Sequence, residues 1–176
     1  MTLAKGITSS YLPLAATVVK KEIADHFSTE GDILKHVLTF GGHPVPAAAA
    51  LKNIEIIERE NLVGNAAENG AYFMGQLDRL KVDHPTVGDV RGIGMLMAVE
   101  LVSDRNTKAR FPKGLKIAAR LNRIFKKYGL ILRVRNEVIN IGPPLCITQD
   151  EVDEIVHAID LSLMDLETEL GVAKVT

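Results

Sequence analysis

The order in which helical and strand periodicities alternate limits what this chain can fold into. Pro44 suits the first position of a helix, where no N–H is needed. Behind it, residues 47–50, Leu51, Ile54 and Ile57 build one apolar face, with Glu55, Glu58, Arg59 and Glu60 turned outward, which predicts a helix over 44–60. A second helix is predicted over 63–81 from Ala67, Ala71, Met74 and Leu77. Gly64, Gly70 and Gly75 weaken it, each by about 1 kcal/mol against Ala. The period then changes: residues 90–102 form a nearly unbroken apolar run and are read as one long strand. An amphipathic helix over 114–128 follows, through Ile117, Leu121, Ile124 and Phe125, closed by Lys126, Lys127 and Gly129. Short strands are predicted at 130–133 and 138–141, with Asn136 at the turn. Thr148-Gln-Asp-Glu151 is a capping box, opening a helix that buries Val152, Ile155, Val156, Ile159, Leu163 and Leu166. Earlier in the chain, 14–19 reads as a buried β-branched strand, Lys20 and Lys21 open a short helix, and 25–32 is a polar surface loop. Residues 34–40 are expected to be extended or irregular. The fold class is α/β, with a domain boundary near Leu62.

Composition removes several function classes. Net charge is −1, so no basic excess points to nucleic acid. No apolar stretch approaches the roughly 18 residues of a membrane span, and the N-terminus lacks the pattern of a signal peptide. The single cysteine, Cys146, excludes an internal disulfide framework and fits a reducing compartment, so a cytoplasmic location is expected. His26, His36, His84 and His157 show no metal-ligand spacing with one another or with Cys146. Gly92-Ile-Gly94 begins a predicted strand instead of leading from a strand into a helix, so it is read as structural and not as a dinucleotide fingerprint. Asp150, Glu151, Asp153 and Glu154 suit a solvated first helical turn.

Three segments carry candidate chemistry. Lys5 follows a short apolar run and precedes Gly6 and the hydroxyl cluster Thr8, Ser9 and Ser10, a setting for an amine nucleophile toward a carbonyl. On its own it reads as an ordinary surface lysine before a turn. Thr39-Phe40-Gly41-Gly42-His43-Pro44 places a hydroxyl beside a helix N-terminus, a ready anion site; Thr39 could also merely end a strand, with His43 as a cap. Arg133 ends an apolar run ten residues before Pro143-Pro144, and its planar donor fork suits a carboxylate. Arg135 would share its face in a strand.

The string Ala4-Lys5-Gly6-Ile7-Thr8-Ser9-Ser10-Tyr11-Leu12-Pro13-Leu14 resembles the Schiff-base lysine segment of the class III (omega) aminotransferases, with Ser10 and Ala15 where glycine is usual. The Thr39–Pro44 and Arg133–Pro144 segments are similar to two further stretches of that family, in the same order. The resemblance implies the C-terminal part of a fold-type I transferase dependent on pyridoxal 5'-phosphate. Residues 1–62 would be the end of the large cofactor domain, and 63–176 a small domain with an antiparallel sheet covered by helices. Lys5 would hold the cofactor and later move a proton, Thr39 would bind its phosphate from the neighbouring subunit of a homodimer, and Arg133 would bind the substrate carboxylate. The reaction implied is amino transfer from an amine or omega-amino acid to an oxo acid. Residues 7–13 look most like the branch that uses pyruvate with taurine or beta-alanine. An aminomutase or decarboxylase would share Lys5 and Thr39. In the family a long N-terminal half precedes the lysine segment and supplies the acid at the pyridine nitrogen, a Gly-Ser phosphate cup and a stacking aromatic. The chain is therefore expected to be a C-terminal half, with Met1 an internal methionine, and a poor catalyst alone. The other reading is an inactive remnant or a dimerisation module.

Overall fold

The computed structural model describes residues 1–28 and 31–172. The chain divides into two compact units, Met1–Asn61 and Leu62–Thr176.

The first unit opens with a short antiparallel ribbon, β1 (Thr2–Ala4) against β2 (Ala15–Thr17), in the register Thr2↔Thr17, Leu3↔Ala16 and Ala4↔Ala15. A 3-10 turn, Lys5–Thr8, leads out of β1. The strand expected to be buried over 14–19 is therefore shorter, and Val18 and Val19 are exposed. Its β-branched residues suit a strand, but it has one partner strand among the described residues and only Ala16 is half-buried. Helix α1 (Lys21–Asp25) is held by a Lys21–Asp25 ion pair at 2.7 Å. Thr29 and Glu30 of the expected loop lie outside the described residues. Helix α2 (Pro44–Arg59) begins at Pro44 as the sequence predicts, with His43 as its N-cap. Its expected apolar face is largely uncovered within the unit: Ala50 is buried, whereas Leu51 and Ile54 are exposed.

The second unit is a four-stranded sheet with helices packed on it. In chain order it runs α3 (Leu62–Asp83), β3 (Val87–Ile93), β4 (Leu96–Leu101), a 3-10 turn, α4 (Ile117–Lys127), β5 (Arg133–Arg135), β6 (Val138–Ile141) and α5 (Gln149–Leu170). The strand order is β3-β4-β6-β5, and every neighbouring pair is antiparallel. The single strand expected over 90–102 is instead a hairpin, because Gly94 takes a left-handed φ of 52° and turns the chain between β3 and β4. The strand expected at 130–133 is displaced to Arg133–Arg135, where Asn136 and Glu137, both at positive φ, form a tight turn into β6.

One hydrophobic cluster fills this unit: Phe73 and Leu77 from α3, Met97, Val99 and Leu101 from β4, Leu121 and Phe125 from α4, Ile139 and Ile141 from β6, and Val152, Ile159 and Leu163 from α5. The capping box forms as read, with Thr148 Oγ1 accepting from the Glu151 N–H and Glu151 accepting from the Thr148 N–H. Asn65 and Asn69 on α3 donate to the Leu145 and Ile147 carbonyls, and so hold the loop that follows Pro143-Pro144. No helix is long and apolar enough to cross a membrane among the described residues.

Candidate active site

Lys5 stands where β1 gives way to the 3-10 turn, with its backbone in the left-handed region at φ 52°. Ser9 and Ser10, at 48° and 61°, bring the chain back out of the turn. Such a conformation costs a non-glycine residue about 1–2 kcal/mol, so three in one short segment must be held by their surroundings. Part of the restraint is local. Ser10 N–H donates to the Lys5 carbonyl at 3.1 Å, and the buried Thr8 hydroxyl donates to the Leu12 carbonyl at 2.7 Å. The rest comes from α2, where the Asn53 amide donates to the Gly6 and Ile7 carbonyls and accepts from the Ser9 hydroxyl.

The turn opens onto a cleft of about 640 Å³ lined by Ala4, Lys5 and residues 10–15. Small-molecule sites are typically about 300–1,000 Å³, with apolar walls and few polar groups. Here the walls are Ala4, Tyr11, Leu12, Pro13, Leu14 and Ala15, and the polar side chains are Lys5 and Ser10. The Lys5 amine has no hydrogen-bond or ion-pair partner among the described residues. An unpaired primary amine on an open, apolar-walled cleft is accessible to an aldehyde carbonyl. The hydroxyl cluster is less available than its composition suggests, since Thr8 and Ser9 are occupied within the turn and Ser10 alone faces the cleft.

Thr39 lies in the turn closed by the Gly41 N–H donating to the Leu38 carbonyl at 2.8 Å. It is exposed, does not line the Lys5 cleft, and its hydroxyl has no partner among the described residues. Phe40, next to it, lines a second cavity of about 440 Å³ with His43, Val45, Pro46 and residues 12–14. Residues 12–14 are thus shared between the two cavities, with Lys5 on one and the Phe40–His43 turn on the other. His43 Nδ1 accepts from the Val45 N–H at 3.2 Å and is occupied as a helix cap.

Arg133 belongs to the second unit. It lies on the edge strand β5 opposite Asn140, whose side chain donates to the Arg133 carbonyl at 3.1 Å. Val134 is buried between the two exposed arginines, so Arg133 and Arg135 project from the same face, away from the core. Neither guanidinium is in an ion pair among the described residues. Either could meet an anionic group.

Two arrangements were not legible in the sequence. One is the Asn53 clamp, whose only signal is an asparagine, a weak helix former, inside α2. The other is His84, buried with Nδ1 2.9 Å from Glu167 and Nε2 2.7 Å from Asp160. Among the described residues no cluster of His, Cys, Asp and Glu is arranged to hold a metal ion.

The family model for aminotransferase class-III matches residues 1–163. The putrescine–pyruvate aminotransferase of Pseudomonas aeruginosa is 39% identical over 158 residues, covering 89% of this chain and 34% of its own length. The taurine–pyruvate aminotransferase of Bilophila wadsworthia is 35% identical over 182 residues, covering 97% of this chain and 40% of its own. The crystal structure of a thermostable (S)-enantioselective omega-transaminase from Thermomicrobium roseum superposes with a TM-score of 0.89 at 39% identity, over 94% of this chain and 37% of that one. The chain thus spans 34–40% of the length of these curated relatives.

Proposed function

The chain belongs to the class-III aminotransferases, enzymes that depend on pyridoxal phosphate, and from this premise we propose that it supplies the lysine, one phosphate contact and the carboxylate-binding arginine of a transaminase site. The observation that carries the proposal is the free Lys5 amine, set by a restrained turn on an apolar-walled cleft. Residues 1–62 are assigned to the large cofactor domain and 63–176 to the small domain.

The bound cofactor supplies an electron sink for the bond broken at the substrate carbon. The chain's own residues bind, orient and move protons. With the cofactor bound, Lys5 Nζ would be the group that holds it, and the same amine, when free, would serve as the base for the proton on the amine-bearing carbon of the substrate. Leu12, Pro13 and Leu14 supply apolar walls beside that amine. The Thr39 hydroxyl donates to a phosphate oxygen. Its exposed position, off the Lys5 cleft, supports service to the site of a second copy in a homodimer. Arg133 pairs its fork with the substrate's anionic end.

The overall reaction is amino transfer from an amine or omega-amino acid to an oxo acid. Taurine or beta-alanine as donor and pyruvate as acceptor are supported by residues 7–13 and by the taurine–pyruvate relative. The putrescine–pyruvate relative, at higher identity, supports the same acceptor with a donor that has no anionic end. The exposed apolar side chains of the first unit favour a second reading, an association module without activity of its own.

The proposal is tested by adding pyridoxal phosphate to the chain, reducing with borohydride and mapping the labelled peptides. The label is expected on Lys5 and lost in Lys5→Ala. A label scattered over surface lysines and undiminished in that variant defeats it.

A further inference from the structure

Asn53 lies in the interior of α2, yet its side chain is committed to the lysine turn, 47 residues earlier. Its amide nitrogen donates to the Gly6 carbonyl at 3.0 Å and to the Ile7 carbonyl at 3.2 Å, and its amide oxygen accepts from the Ser9 hydroxyl at 2.6 Å. Two acceptors on one side and a donor on the other match both ends of a primary amide, which aspartate, leucine or alanine cannot reproduce. The turn's own bonds, Ser9 N–H to the Gly6 carbonyl and Tyr11 N–H to the Thr8 carbonyl, close it on itself without fixing it to anything else. Among the described residues, the Asn53 amide makes the side-chain bonds that join this turn to a helix. The bonded residues directly follow Lys5 and include Ser9, one of the left-handed residues by which the chain leaves the turn.

We propose that Asn53 is a positioning residue for Lys5: it anchors the Gly6–Ser9 backbone to α2 and so keeps the Lys5 amine directed at the cleft. The proposal rests on the reading of Lys5 as the cofactor lysine. Asn53 touches neither cofactor nor substrate in this role. It acts by removing backbone freedom at the residue next to the reacting amine, which raises the fraction of time that amine spends where a carbonyl can meet it.

The test uses the full chain with pyridoxal phosphate, borohydride reduction and peptide mapping, and reads the share of label on Lys5 against the exposed Lys21 and Lys52. Asn53→Ala removes all three bonds. Asn53→Asp keeps the acceptor for Ser9 and sets a carboxylate against two carbonyls. Ser9→Ala removes one bond only. The Lys5 share is expected to fall about tenfold in both Asn53 variants and severalfold in Ser9→Ala, in keeping with the modest net worth of each hydrogen bond lost. The pH dependence of the visible band before reduction should move in the same variants, whereas their melting curves stay close to the parent's. If the parent shows no selective label on Lys5, the cofactor-lysine reading falls and this inference with it. If the parent is labelled on Lys5 and the variants keep the same share and the same pH dependence, only the role of Asn53 is overturned. Should Asn53→Ala fail to fold, Asn53→Asp and Ser9→Ala decide the matter.

Discussion

His84 is buried between two carboxylates, and a histidine so placed links the stability of its unit to pH. Both ring nitrogens face carboxylate oxygens, an arrangement satisfied on both sides only by the doubly protonated ring. Burial alone would push the imidazole down, but its bonds to Glu167 and Asp160 outweigh that and raise its pKa. Burial would likewise raise Glu167, and the bonds from His84 and Thr86 hold it below its usual value. The His84 contribution is therefore fully present below the unfolded value of about 6.5 and is lost as pH rises through the raised folded value. The Glu167 contribution is present above about 4.5 and is lost as pH falls through its lowered value. Melting temperature should thus be greatest relative to a His84→Gln variant between those limits, and the gap should narrow on the alkaline side. An unchanging gap from pH 5 to 9 contradicts the imidazolium assignment. His84→Ala, which leaves Glu167 buried without its charged partner, should cost about 3–5 kcal/mol. Arg133 yields a second prediction at this scale. If Arg133 binds the substrate's anionic end as proposed, Arg133→Ala in a complete class-III enzyme should lose about ten- to hundredfold on carboxylate substrates and spare simple amines. Equal loss on both makes the residue structural, and loss confined to Arg135→Ala moves the site to its neighbour. Arg133 is a candidate in the sequence because the apolar run before it and the proline pair after it lie near it in the chain. His84 is not, since Glu167 lies 83 residues away and nothing local signals the pairing.

Helix α3 and the β3–β4 hairpin approach one another so closely that side chains are excluded at the contact. A Cβ added at Gly70 would lie 2.6 Å from the Gly94 carbonyl oxygen; within the hairpin itself, one at Gly92 would lie 2.5 Å from the Leu96 carbonyl oxygen. Backbone cannot yield as a flexible side chain would, so Gly70→Ala must displace the helix or the hairpin. A loss of about 1–3 kcal/mol is expected in denaturant unfolding. Gly75, on the same helix, has nothing within 4 Å of an added Cβ. There the ordinary helix preference should act alone, and Gly75→Ala should stabilise by about 1 kcal/mol. Equal effects at the two positions would mean that the close approach is relaxed in solution. From sequence the two glycines look alike, as weak points in one predicted helix, because the carbonyl that separates them lies on another element. The same limit explains the misread strand at 90–102: Gly94 and Met95 turn the chain inside an apolar run, with none of the polar residues that usually mark a turn. Thr148-Gln-Asp-Glu151 was legible because both halves of its bonding pattern lie within four residues.

At the scale of the whole chain, the two units differ in what their own residues can hold together. The second carries a continuous core drawn from three helices and the sheet, with Phe73, Leu77, Val99, Leu121, Ile139 and Leu163 fully excluded from solvent. Among the described residues of the first unit only Thr8, Pro46 and Ala50 are buried. Its large apolar side chains are exposed instead: Val37 at 91%, Phe40 at 83% and Leu51 at 70%. The sequence showed the apolar face of α2, but periodicity reports only that a face is apolar and not whether the unit contains anything to cover it. Each large side chain left in water forgoes about 1.5–3 kcal/mol of burial, a large part of the roughly 5–15 kcal/mol by which a domain is stable. The first unit is therefore expected to open readily and to associate through these side chains. Limited proteolysis should cut within residues 1–61 and leave a fragment beginning near Leu62, whose amides exchange slowly. Sedimentation should show mass rising with concentration, and the association should protect the first unit from protease as concentration increases. A chain that stays monomeric at all concentrations, with residues 1–61 as resistant as the rest, would mean that the first unit is stabilised without association.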